Sequence, residues 1–87
     1  MAVVVIPSLM RDLTGGKAEL RLPGATVGEL IDALEAAYPG ARARLCEGAA
    51  LSPLLVVAVD GRRSRLGLAE PVGEGSEVRF LPAVSGG

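Results

Sequence analysis

The chain has 87 residues, nine basic and ten acidic side chains, no histidine and one cysteine. That length suits one small domain, and a net charge of −1 gives no electrostatic footprint for nucleic acid. No apolar run approaches the length of a membrane helix, and the start, Met1 to Ile6, lacks the basic region and cleavage site of a secretory signal. Together with the lone Cys46, which cannot form an internal disulfide, this predicts a cytoplasmic protein.

Ala2 to Ile6 is a β-branched apolar run stopped by Pro7 and reads as a strand. Ser8 to Leu13 fits one helical turn or an irregular loop, and Thr14-Gly15-Gly16 is a turn signal. Lys17 to Leu22 alternates, with Ala18, Leu20 and Leu22 on one face, as in a half-buried strand. Pro23-Gly24 ends it. Thr26-Val27-Gly28-Glu29 has the form of a capping box, in which the threonine hydroxyl takes the N3 amide and the glutamate reaches back to the N-cap amide. Val27, Leu30, Ile31, Leu34 and Ala37 then form one helical stripe, closed by Tyr38-Pro39-Gly40. Ala41 to Glu47 suits a short second helix with Leu45 inward, and Gly48 to Pro53 reads as loop.

Leu54 to Val59 is a continuous apolar run, the pattern of a strand covered on both faces. Asp60-Gly61 is a hairpin turn, Arg62 to Arg65 a short return strand, Leu66 to Ala69 suits a helical turn, and Pro71 to Ser76 is a further turn. Glu77 to Leu81 is the last strand, with Val78 and Phe80 on one side and Arg79 and Leu81 on the other. One amphipathic helix crossing a mixed sheet of four to five strands is an α+β, ubiquitin-like β-grasp. Its first and last strands are parallel central neighbours, so a C-terminal tail leaves from the middle of the sheet. The expected division is a β-grasp domain over 1–82 and a flexible Gly-Gly tail over 83–87.

The ending Gly86-Gly87 packs nothing and is costly to order. It is either a ragged terminus or a device for presenting a bare α-carboxylate inside another protein. Ala83 to Gly87 carry no charged side chain and span about 17 Å when extended. Other chemistry finds little support. Without histidine no Ser/His or Cys/His nucleophile can be built, and Cys46 has no companion for metal ligation, so it reads as a partly packed small apolar residue. Thr14-Gly15-Gly16-Lys17 lacks the upstream glycine and following hydroxyl of a phosphate loop. Glu29, Asp32 and Glu35 read as ordinary helix solvation. Arg62, Arg63 and Arg65 read as a charged strand edge that blocks edge pairing, with a phosphate or partner contact as the alternative. A one-helix sheet leaves one face open, and the apolar strands predict a docking patch there, with Leu81 its best single residue.

The run Val78 to Gly87, VRFLPAVSGG, resembles the terminal signature of the bacterial MoaD/ThiS family of ubiquitin-like sulfur carriers. With Ile6-Pro7-Ser8-Leu9-Met10-Arg11 and Leu13-Thr14-Gly15-Gly16 the resemblance covers the whole chain, and it is closest to the carrier of thiocarboxylate-dependent cysteine biosynthesis. The small subunit of molybdopterin synthase, a carrier shared by several sulfur-inserting enzymes, and a protein modifier joined to lysines are the alternatives. The resemblance implies a carrier that is not itself an enzyme and holds no cofactor or metal. It implies that an E1-like adenylating enzyme activates Gly87 with ATP and that a sulfur donor converts it to a thiocarboxylate. Val84, Ser85 and Gly86 are then the tail-recognition residues. The implied acceptors are a pyridoxal-phosphate-dependent cysteine synthase, with a metalloprotease to trim the tail, or the molybdopterin synthase large subunit.

Overall fold

The computed structural model describes residues 1–83. In chain order the elements are β1 (Ala2–Val5), β2 (Glu19–Leu22), α1 (Val27–Ala37), α2 (Ala41–Leu45), β3 (Cys46–Glu47), β4 (Ala50–Leu51), β5 (Leu55–Val59), β6 (Arg62–Arg63) and β7 (Glu77–Pro82), with 3-10 turns at Ser8–Met10 and Gly67–Ala69. Five strands form one sheet in the order β2-β1-β7-β5-β6. β1 and β7 run parallel at its centre, with Val4 opposite Val78, and every other pairing is antiparallel. This is the expected β-grasp.

Alternation along the central strands sorts the residues. Ala2, Val4, Val78, Phe80 and Val57 point to the side covered by α1 and are buried. There they meet Val27, Leu30, Ile31 and Leu34, the helical stripe. Each of these Val, Leu, Ile and Phe side chains stabilises the fold by roughly 1.5–3 kcal/mol, in a domain whose net stability is on the order of 5–15 kcal/mol.

The helix start departs in detail from the expected box. The Glu29 amide does donate to Thr26 Oγ1, at 3.2 Å. The Glu29 carboxylate, however, accepts the amide of Ala25, one residue before the N-cap, at 2.9 Å. Thr26 itself bridges to Pro71, so its backbone faces a neighbouring segment and the carboxylate serves the amide before it. Ala37 is exposed, because the chain reverses at Gly40 and the core is reached instead by Ala41 and Leu45. Ala18 is also exposed, beyond Glu19, the last residue paired with β1.

The helix carboxylates are not mere solvation. Glu35 accepts the amides of Gly40 and Arg42, the latter at 2.8 Å, and so caps the start of α2. Asp32 forms an ion pair with Arg42. The expected loop at 48–53 contains a second small sheet, β3 against β4, turned at Gly48 with φ +63°. Two-residue strands are too short to show alternation, and so left no sign in the sequence. The Asp60-Gly61 turn is as expected, with φ +52° and +83°, the left-handed pair of a tight hairpin.

Candidate functional site

β7 carries the chain out of the fold. Val78 and Phe80 are in the core, while Arg79 and Leu81 face the uncovered side of the sheet. Leu81 is 42% exposed, the solvent-facing phase expected of it. Its register partner on β5 is half-buried Val56. The pairing continues past the strand end, where the amide of Ala83 donates to the carbonyl of Leu54 at 2.8 Å. Ala83, first residue of the expected tail, is thus held against β5. Val84, Ser85, Gly86 and Gly87 lie outside the described residues.

Leu54 was expected to open a strand covered on both faces. It precedes β5 and is 75% exposed. The i, i+2 spacing of Leu54, Val56 and Ala58, out of phase with the core residues Val57 and Val59, was the available signal. Ala58 is buried although no second layer covers it. Its register neighbours are Arg79 on β7 and Arg63 on β6, and arginine stems readily cover apolar surface. Val3 and Val5 extend the same face along β1, beside Glu19 and Arg21 of β2. The uncovered face is therefore an aliphatic centre with a charged rim, and Arg79 and Glu77 pair within it at 2.9 Å.

The other singled-out groups fall elsewhere. Cys46 lies in β3, half-buried, and burial pushes its thiol pKa up, opposed by the nearby charge of Arg42. A protonated thiol is a poor nucleophile. Thr14 is buried and its hydroxyl donates to the carbonyl of Lys17 at 2.9 Å, so the Thr14-to-Lys17 loop closes on itself. Arg44 grips Asp12 with both guanidinium nitrogens, at 2.8 and 3.1 Å, and holds that carboxyl below the usual range. Among the described residues no cluster of histidine, cysteine and carboxylates could hold a metal, and no helix is long and apolar enough to cross a membrane.

A β-grasp domain whose central last strand ends beside an exposed aliphatic patch has the architecture of ubiquitin-like carriers and modifiers. The sequence profile of the ThiS family matches residues 4–87, and the chain belongs to that family. The sulfur carrier protein CysO of Mycobacterium tuberculosis is 36% identical over 89 residues, covering 97% of this chain and 96% of its own. A chain in the crystal structure of the Amycolatopsis orientalis BexX/CysO complex superposes with a TM-score of 0.90 at 37% identity, with 100% of each chain covered. The crystal structure of Mycobacterium tuberculosis CysO gives 0.88 at 34%, covering 97% of this chain and 100% of that one.

Proposed function

We propose that this protein carries sulfur as a thiocarboxylate on Gly87, most directly for cysteine biosynthesis. The observation that carries the reading is the path of β7. A central strand, parallel to β1, brings the chain to Ala83 with four residues left to its end. The family match extends through those residues to 87, and the relative that is 36% identical, CysO, is a sulfur carrier by name.

The chemistry needs no catalytic side chain from the carrier. A carboxylate oxygen of Gly87 attacks the α-phosphorus of ATP in an E1-like adenylating enzyme, and pyrophosphate leaves. Sulfide attacks the acyl-adenylate carbonyl, AMP leaves, and the remaining S–H proton is lost. The resulting thiocarboxylate then offers its sulfur as nucleophile to an electrophile held by an acceptor enzyme. A pyridoxal-phosphate-dependent synthase acting on an activated serine is the acceptor that the likeness to CysO favours, with a metalloprotease to release the product. Residues 83–87 serve as the tail, and Val84, Ser85 and Gly86 are the part that an enzyme channel reads. The domain supplies binding and positioning, a large term in such reactions, and Leu81 is the gripping residue nearest the tail. The BexX/CysO complex shows that one similar carrier forms a defined assembly.

The test is to incubate the protein with the adenylating enzyme, ATP and sulfide and to measure its intact mass. A gain of one sulfur in place of one oxygen, located at Gly87, is expected. An unchanged mass with a demonstrably active enzyme overturns the reading.

A further inference from the structure

Arg63 and Arg65 line a groove of about 540 Å³ whose other walls are Val56 and Ser64. No carboxylate lines it. Arg42, Arg44 and Arg79 each pair with an acid, Asp32, Asp12 and Glu77. Arg63 and Arg65 pair with none among the described residues. A larger groove beside the first, which also holds Asp60 and Glu70, is lined by Arg62, Arg63 and Arg65 alike, and Arg62 lines that one without lining the acid-free groove. Within a chain of net charge −1, Arg63 and Arg65 are a local basic pair without an ion-pair partner among the described residues.

The backbone between them is fixed. Ser64 Oγ donates to Glu70 Oε1 at 2.6 Å and accepts the Leu66 amide at 3.0 Å. The Ser64 amide bonds the carbonyl of Val57 at 2.8 Å. A site held this way loses little freedom when it binds. It is also continuous with the tail exit. Arg63 is opposite Ala58, Ala58 opposite Arg79, and Leu81 lies two residues along β7. Two strand spacings and two residues place Arg63 about 12 Å from Leu81, well inside one ordinary protein interface.

We propose that Arg63 and Arg65 extend the Leu81 face into one docking surface whose occupant is a carboxylate-bearing, partly apolar surface of the enzyme that receives the C-terminus. The guanidinium forks take the carboxylates, and Val56 and Leu81 take the apolar part. The identity of that enzyme rests on the carrier reading above. Nucleic acid is the weaker occupant, because the rest of the chain supplies no basic track to follow a phosphate backbone.

The experiment titrates the E1-like adenylating enzyme with wild-type protein, Arg63→Glu/Arg65→Glu, Arg63→Gln/Arg65→Gln and Arg62→Glu, at low and high salt. Wild-type binding weakens with salt. The Glu double variant binds at least about tenfold more weakly at low salt, because charge reversal across an interface acts on encounter and register, and it loses the salt dependence. The Gln double variant is intermediate and guards against a folding artefact, and Arg62→Glu binds within about twofold of wild type. Wild-type affinity in the folded Glu double variant overturns the proposal, as does equal weakening by Arg62→Glu. Intact mass after ATP and sulfide separates the two readings. A wild-type sulfur gain with arginine-insensitive binding sinks the docking surface alone. Arginine-dependent binding without sulfur gain keeps the surface and sinks the carrier.

Discussion

Ala83 donates its amide to the carbonyl of Leu54 at 2.8 Å, one residue beyond the end of β7. The bond pins the chain to the sheet beside two exposed leucines, Leu54 and Leu81. On the carrier reading proposed above, an enzyme that takes in the C-terminus is expected to contact that end of the sheet as well.

Deleting Gly87 should abolish sulfur loading and leave the fold intact, since no described contact of the core depends on it. Mass spectrometry after incubation with the adenylating enzyme, ATP and sulfide reads the first. Thermal unfolding followed by circular dichroism reads the second. A melting temperature that falls with the deletion would mean that the tail packs on the domain.

Leu81→Asp and Phe80→Asp should separate binding from folding. Leu81 is 42% exposed and Phe80 6%. Leu81→Asp should fold normally and bind the adenylating enzyme at least about tenfold more weakly, since burying one leucine contributes roughly 1.5–3 kcal/mol. Phe80→Asp should unfold the domain, because an unpaired carboxylate in the core is costly. The reverse pattern would place the docking surface on the helix side of the sheet.

Glu35→Ala should destabilise the domain by about 1 kcal/mol, the usual worth of a side-chain cap, which is roughly 4–8 °C in melting temperature for a domain of this size. Glu35 holds the amides of Gly40 and Arg42, and these lose their partner. Glu35→Gln keeps an acceptor and should lose less. Equal melting temperatures for wild type and Glu35→Ala would show that water replaces the cap without loss.

Cys46→Ser should leave sulfur loading unchanged. Burial raises the thiol pKa, so at neutral pH alkylation of Cys46 should be slower than that of a free cysteine and should accelerate as pH rises past the ordinary thiol range. The sign for stability follows. The folded state holds this proton more tightly than the unfolded chain, so the contribution is present below the unfolded thiol pKa and is lost as pH climbs through the folded one. Fast alkylation at neutral pH would show the thiol to be exposed and activated.

The sequence by itself determined the β-grasp and the phase of the last strand. Those features rest on local periodicity. Val27, Leu30, Ile31 and Leu34 repeat at helical spacing, Val78 and Phe80 at strand spacing, and Asp60-Gly61 carries the backbone preference of its turn. Only the tertiary structure decided what depends on distant segments meeting. Glu29, Asp32 and Glu35 read as solvent-facing, and their bonds to Ala25, Arg42 and Gly40 exist because the chain folds back on either end of α1. Arg62 and Arg63 are adjacent in sequence and both line the groove that holds Asp60 and Glu70, yet only Arg63 also lines the acid-free groove beside Val56. Charge type is written in the residues. Whether a charge is offset is set by which strands lie beside it.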